Sequence, residues 1–313
     1  MRFSVIIPLY NKAPYIKKAL QSVIEQGFKG FELIVVDDGS ADGSLDAARE
    51  TLEASGIDFQ LIHQDNAGVS TARNNGITSS HGDYICFLDD DDWWSPSFLE
   101  SMDKLINDYP DAGIYGTNYY IISRGKQRIA LHIPCTGYIN YCDCYRKLQM
   151  PLTSISVAIP RSILQETGGF NPNLKLGEDF DLWIRIALRT KVAYLDEPLA
   201  YYYQDSDPTW RGTGHLIKPQ SHMLWNLGYL EVEEKTNPDY KRLIDELRTF
   251  GLMSYLLSSK YRDDARRELA KVDWSKQSKK IRFLYHCPIP FLRFRRTILK
   301  WGSRAKQWII KNI

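Results

Sequence analysis

The chain has 313 residues, 43% of them apolar and 12% aromatic, enough to bury a full core in one large domain with an appendage or in two modest ones, and neither fibrous nor disordered. Its net charge of +2 conceals a division: residues 275–313 carry eleven Lys or Arg and no Asp or Glu, leaving 29 basic against 38 acidic residues in 1–274. Nothing approaches 18 consecutive apolar residues, which argues against a membrane-spanning helix, and five cysteines without a CxxC pair argue against a disulfide framework or zinc ribbon.

The chain opens with MRFSVIIPLYN, which reads as a strand running into Pro and a polar turn rather than as a secretory signal, so the expected location is the cytoplasm. FSVIIPLY (3–10), FELIVVDD (31–38), FQLIH (59–63) and DYICFLDD (83–90) are short apolar runs suited to buried strands, and helical patterns separate them at 15–25, 44–54 and 70–79. This alternation predicts an α/β fold with an open, mostly parallel, Rossmann-like central sheet flanked by helices. In such sheets ligands bind beyond the carboxyl ends of the strands. Three polar termini meet that description: Pro8-Leu9-Tyr10-Asn11, Asp37-Asp38-Gly39-Ser40 and Asp89 to Asp92.

Residues 112–131 read as a hairpin turning near Arg124-Gly125, followed by an irregular segment and then by SISVAIPRSIL, GGFNPNLKLGEDFDLWIRIALR and VAYLDEPLAYYYQ. Beyond about residue 215 helical patterns take over, at 216–234, 239–259, 262–271 and 289–311. The turn-rich DSDPTWRGTG places a boundary near 205–215, giving a catalytic domain at 1–210 and a helical C-terminal region at 211–313 with a basic tail at 275–313.

Three acidic clusters carry the chemistry. Asp37-Asp38 can hydrogen-bond a heterocycle or ribose lying across the strand ends, or can form an Asx turn. FLDDDDWW (87–94) sets four carboxylates in succession, and their repulsion demands a compensating cation or full hydration. An EF-hand loop fails, because Trp93 and Trp94 fall where an oxygen ligand and Gly are needed. Carboxylates presented to a cleft suit a hard divalent ion that takes its other ligands from water and a bound diphosphate, so the cation is expected to arrive with the substrate. Glu178, Asp179 and Asp181 open a helix, where acidic residues complement the dipole; a loop-borne carboxylate there can also act as general base toward an alcohol.

In order, SVIIPLYNKAPYIKKALQSVIEQ, ELIVVDDGSADGS, NAGVSTARNNGI (66–77), DYICFLDDDDWWSP and GGFNPNLKLGEDFDLWIR resemble successive segments of the family 2 glycosyltransferases, which have the GT-A nucleotide-sugar fold. The likeness runs through about residues 3–203. It implies that Pro8 and Tyr10 flank the base, that Asp37 binds uracil or ribose, and that Gly68 and Arg73 border the nucleotide. Asp89 and Asp91 correspond to the D-x-D pair, with Asp91 the direct ligand of Mn²⁺ or Mg²⁺. Asp179 corresponds to the catalytic base, with Glu178 beside it as a support or acceptor contact. Asp90 is then assigned to the ribose and Asp92 to bracing the turn near Ser95, and without substrate the segment is expected to be mobile. Arg73 and Arg185 are candidates for offsetting charge, Arg185 alternatively pairing with Asp181 at i, i+4. Gln204 stands where members of the family often carry a His, and His215 is eleven residues further on.

The activity so implied is inverting, metal-dependent transfer of a sugar from a nucleotide-sugar donor, a UDP-sugar by preference, to a glycan or lipid-linked acceptor in bacterial surface polysaccharide biosynthesis. The alternatives are a sugar-phosphate nucleotidyltransferase, disfavoured because the first strand lacks a following Gly-rich basic loop, and a non-catalytic membrane scaffold, disfavoured by the intact Asp89-x-Asp91 and Glu178-Asp179. FLRFRRTILKWGSRAKQWIIKNI mixes aromatic, aliphatic and cationic residues as interfacial helices on anionic lipid do. A packed helix with a basic face is the other reading, and no nucleic-acid motif accompanies the charge. The expected place is therefore peripheral, on the cytoplasmic face of the inner membrane.

Overall fold

The computed structural model describes residues 1–146, 149–206 and 216–293. The chain divides into two units, one of residues 1–215 with 220–223 and one of 216–219 with 224–313.

The first unit is built outward from β1 (Phe3–Leu9), whose seven residues are all buried. It continues through α1 (Ala13–Ile24), β2 (Phe31–Asp37), α2 (Ser44–Glu53), β3 (Phe59–His63), α3 (Val69–Ser79) and β4 (Tyr84–Phe87). These four strands are parallel in the order β3-β2-β1-β4, so β1 has β2 on one side and β4 on the other and the order reverses beside it. The first crossover helix, α1, buries Ile16, Ala19, Leu20 and Val23 at helical spacing, roughly 1.5–3 kcal/mol for each large side chain. On α3, Gly76 lets the helix approach β1 closely: a Cβ there would lie 2.5 Å from Ile6 Cγ2.

The other half of the sheet is mixed. It comprises β5 (Trp93–Trp94), α4 (Phe98–Asp108), β6 (Ala112–Ser123), β7 (Lys126–Ile129), β8 (Gly137–Ile139), α5 (Tyr141–Arg146), β9 (Val157–Pro160), α6 (Arg161–Thr167), α7 (Glu178–Ala187) and β10 (Lys191–Tyr203). β9 runs antiparallel to both β4 and β6, β10 runs parallel to β6, and β5 pairs antiparallel with β10. The expected hairpin is β6–β7, with Arg124 and Gly125 both at positive φ in its turn. Register shifts in β10 flank Pro198, which has no N–H to give to a ladder.

Past residue 215 the helix expected at 216–234 is broken. Three 3-10 turns (Pro219–Ser221, Met223–Trp225 and Leu227–Leu230) precede α8 (Glu231–Thr236), and Pro219 and Gly228 are poor in helix interiors. α9 (Pro238–Gly251) is capped by Asn237, whose side chain accepts from the Asp239 amide at 3.0 Å, and is followed by α10 (Met253–Leu256) and α11 (Arg262–Leu269). α12 (Lys279–His286) lies where no helix was expected, and its exposed residues Lys279, Lys280, Phe283 and His286 share one side. The helix expected at 289–311 has started by 289, and its remainder from 294 lies outside the described residues.

Candidate active site

β1, β2 and β4 end side by side, and the four aspartates after β4 are distributed among separate partners. Asp89 accepts from Arg73 Nη2 at 2.7 Å and from the Ser154 hydroxyl at 3.2 Å. Asp90 accepts from the Tyr10 amide at 2.9 Å, which ties the fourth strand's end to the first. Asp91 accepts from Lys12 Nζ at 2.5 Å. Asp92 accepts from the Tyr203 amide at 2.6 Å and so closes the end of β10, not the turn near Ser95 expected from the sequence. The reason is local: the Asp92 amide already donates to the Asp89 carbonyl, and Ser95 is turned by its own amide toward Leu199.

Electrostatics separates the quartet into two kinds. Burial, then neighbouring carboxylate charge, pushes Asp90 and Asp92 well above the usual carboxylate range. Asp89 and Asp91 are the two that face side-chain cations, and their side chains are 28% and 15% exposed. The chain thus supplies counterions of its own, Lys12 and Arg73, where an external cation was expected. Burial works to lower the Lys12 value, but its hydrogen bond to Asp91 and the surrounding carboxylates raise it overall.

Arg73 joins the D-x-D segment to the Glu-Asp segment. Its side chain is 4% exposed, its Nη1 lies 3.6 Å from Glu178 Oε1, and its guanidinium covers the Phe170 ring at 5.1 Å. Burial alone would lower its value; Asp89 and Glu178 raise it. Nε and Nη1 make no hydrogen bond among the described residues, so the buried guanidinium keeps donor capacity in hand.

Glu178 and Asp179 form the first turn of α7, set by Gly177 at φ 82, where a Cβ would meet Met223 at 2.7 Å. Asp179 is half-buried, and burial followed by the charge of Glu178 pushes its carboxyl up to about 7. A base poised there is half deprotonated at neutral pH and still basic enough to take a proton from a hydroxyl. Arg185 takes the i, i+4 place on Asp181 at 2.8 Å, and its other donors reach the Thr167 and Gly169 carbonyls at 2.5 and 2.8 Å. Asp181 lies roughly 200° around the helix from Asp179. Arg185 therefore clamps the loop behind α7, and offsetting charge beside Glu178 falls to Arg73.

On the nucleotide side, Pro8 is buried in β1 opposite Val36, and Tyr10 is half-buried just past the strand. Asp37 is fully buried, with Oδ2 2.7 Å from His63 Nδ1, and it also accepts weakly from the Ser40 amide at 3.3 Å, the Asx-turn alternative. Asp38 pins the Asn66 to Gly68 loop: it accepts from the Ala67 amide at 2.7 Å and the Gly68 amide at 2.9 Å. Gly68, at φ 92, precedes α3. Gln204 follows β10 and donates its amide to the Ile122 carbonyl; His215 lies outside the described residues.

Three contributors escaped sequence reading. Lys12 had a signal, a cation directly after the strand-end Tyr10-Asn11, opposite four carboxylates. His63 had a weaker one, a polar residue closing β3 beside the end of β2. Ser154, in a 3-10 turn, had none.

The residues fit a divalent metal. Asp89 and Asp91 offer only oxygen donors, each already draws a cationic nitrogen, and both retain exposed surface. No group of three or more potential ligand side chains is present among the described residues, so the rest of the shell would come from water and phosphate oxygens, as Mg²⁺-type sites arrange it.

The sequence profile of the family described as Glycosyl transferase family 2 matches residues 4–167. Glycosyltransferase GlyA of Streptococcus pneumoniae is 33% identical over 215 residues, 64% of this chain; the chain spans 30% of that relative's length. Among solved structures, residues 1–349 of Staphylococcus aureus TarS in complex with UDP-GlcNAc superpose with a TM-score of 0.62 at 19% identity, covering 87% of this chain and 71% of that one. The mannosyltransferase PcManGT of Pyrobaculum calidifontis, in complex with GDP-Man and Mn²⁺, gives 0.59 at 19% identity, covering 98% and 82%.

Proposed function

This chain belongs to glycosyl transferase family 2, and we propose that it catalyses inverting transfer of a sugar from a nucleotide-sugar donor to a hydroxyl of a glycan or lipid-linked acceptor in bacterial surface polysaccharide biosynthesis. The observation that carries this reading is the single buried guanidinium of Arg73 between Asp89 and Glu178, which gathers the D-x-D segment and the raised Asp179 carboxyl around one point. The domain at 1–210 would be catalytic, with 211–313 a helical extension.

Asp179 takes the proton of the incoming hydroxyl, and Glu178 keeps its neighbour's value raised by like charge. With one base and no enzyme nucleophile, attack is in line and an α-linked donor gives a β-linked product. Arg73 balances Asp89 and Glu178 and has donors left for the donor substrate. Pro8, Tyr10, Asp37, Gly68 and Asp90 are the nucleotide side of the site, and Asp89 and Asp91 would hold Mn²⁺ or Mg²⁺. When bound, that cation would neutralise charge building on the departing diphosphate. A UDP-sugar is the first choice, in keeping with the UDP-GlcNAc complex of TarS; GDP-sugars come next, since PcManGT holds GDP-Man.

The test is a panel of nucleotide sugars with Mn²⁺, scored by nucleoside diphosphate release with and without EDTA and with lipid-linked acceptors supplied. Release from at least one donor, lost in EDTA, is expected. Absence of release from every donor overturns the reading.

An anionic membrane surface is the proposed resting place, at the cytoplasmic face of the inner membrane. No described helix is long and apolar enough to cross a bilayer. What supports a surface role is the 70% exposed Phe283 on the same side of α12 as Lys279 and Lys280, ahead of the basic tail. Removing 275–313 should release the protein from anionic vesicles; unchanged partitioning refutes this placement.

A further inference from the structure

Lys12 is a buried cation whose backbone is held on both sides, its carbonyl accepting from the Tyr15 and Ile16 amides at 2.9 and 3.0 Å, while its ammonium is held by Asp91. Its amide donates to the Ser44 hydroxyl at 2.7 Å. The residue before it, Asn11, adopts φ 52, and its side chain accepts from the Ala41 amide at 2.8 Å. A non-glycine residue in this region is uncommon, Asn being among the more tolerant, so the turn is built to aim the lysine next to it. The aim is at Asp91: Nζ lies 2.5 Å from Oδ2, with the Tyr15 ring 5.7 Å away on another side.

A compact ammonium on a flexible four-carbon stem can relocate while its backbone stays fixed. An ammonium and a divalent ion cannot share one carboxylate oxygen without strong repulsion, since like charges a few ångströms apart in a half-buried cleft are poorly screened. A diphosphate entering the same cleft brings anionic oxygens, for which a Lys ammonium is a common point-charge partner.

We propose that Lys12 is a positioning residue that stands in for the divalent cation on Asp91 in the free protein and passes to the donor's diphosphate when that cation binds. This rests on the reading of Asp89 and Asp91 as metal ligands. It makes metal binding weak alone and strong with nucleotide, so the cation and the nucleoside diphosphate load together.

The test measures Mn²⁺ and UDP binding by titration calorimetry on the full chain. Lys12→Met should tighten Mn²⁺ binding to the nucleotide-free protein by about tenfold and weaken UDP binding at saturating Mn²⁺ by about tenfold, while Lys12→Arg should stay within about threefold of wild type on both. Opposite signs on the two ligands are what a loss of local structure would not give. On the wild-type protein, amine labelling followed by mass spectrometry should find Lys12 more reactive with Mn²⁺ alone and protected again once UDP is added. Mn²⁺ uptake by the wild type with unchanged affinity in Lys12→Met, or Lys12 labelling insensitive to Mn²⁺, overturns the role of Lys12 alone. No Mn²⁺ uptake by the wild type even with UDP overturns the metal reading and this role with it.

Discussion

Arg73 Nη1 stands 3.6 Å from Glu178 Oε1, while Nη2 of the same guanidinium holds Asp89 at 2.7 Å. One buried cation thus neutralises two segments that are remote in sequence. Arg73→Leu should destabilise the protein by about 3–5 kcal/mol, the usual result of stripping the partner from buried charge, measured by denaturant unfolding. A loss under about 1 kcal/mol would mean that Asp89 and Glu178 find other partners.

Asp179→Asn should lower turnover by about 10²–10⁴-fold, with donor binding kept. In the wild type, kcat/KM should rise with pH through about 7, because the deprotonated carboxylate is the active form. A bound cation lowers the value, so the rise in kcat should come at lower pH. The sign for stability is the reverse: a raised carboxyl favours the fold when protonated, and that contribution is lost as pH climbs from about 4 through about 7. Asp179→Asn should therefore raise Tm at pH 8 and not at pH 4. An unshifted Tm difference between these conditions refutes the assignment.

The alternating roles in the aspartate quartet separate Asp91 from Asp92. Asp92→Asn keeps an oxygen for the Tyr203 amide and removes a buried carboxyl pushed up by burial and by Asp89, so it should hold kcat within about threefold and raise Tm at neutral pH. Asp91→Asn should abolish Mn²⁺-dependent nucleotide binding. Equal loss from both variants would mean the quartet acts as one site.

At the other end of β2, Glu32 is buried and accepts from the Ser4 hydroxyl at 2.5 Å and the His81 amide at 2.6 Å. Burial tends to raise its value, but these donors bring it below the ordinary one. Its stabilisation is present above the unfolded value near pH 4 and is lost as pH falls through the lower folded value. Glu32→Gln should cost about 1–3 kcal/mol at pH 7, with the gap narrowing below pH 4, read from urea midpoints.

The parallel half of the sheet was legible because each strand is a continuous apolar run bounded by turn formers, and every expected strand from 3 to 90 has its counterpart. The mixed half was less so: β5 is two tryptophans, and β8 three residues, too short for any period to register. In the site, residue types and spacing located the carboxylates but not their partners. That Asp92 meets Tyr203, or that Arg73 reaches Glu178, depends on how remote elements pack, which one chain's pattern does not encode; the Arg185–Asp181 pair, local to α7, was legible from its i, i+4 spacing. Asp38 shows the same limit: Asp37 and Asp38 are adjacent and alike, yet pleating sends one toward His63 and the other to the loop before α3.

The pairing of β10 with β6 sets a schedule for the molecule's birth. Lys191 lies against Ala112 and Tyr203 against Ile122, and the matched family region ends at residue 167, before β10 begins. At about 5–20 residues per second, a ribosome leaves β6 without this neighbour for several seconds. Through that interval the nascent chain bears an uncovered strand edge, open to mispairing with other chains. Translation speed across 124–190 and the supply of holdase chaperones should therefore govern the yield of active enzyme, and a fragment trimmed to the profile boundary should come out of cells in inclusion bodies.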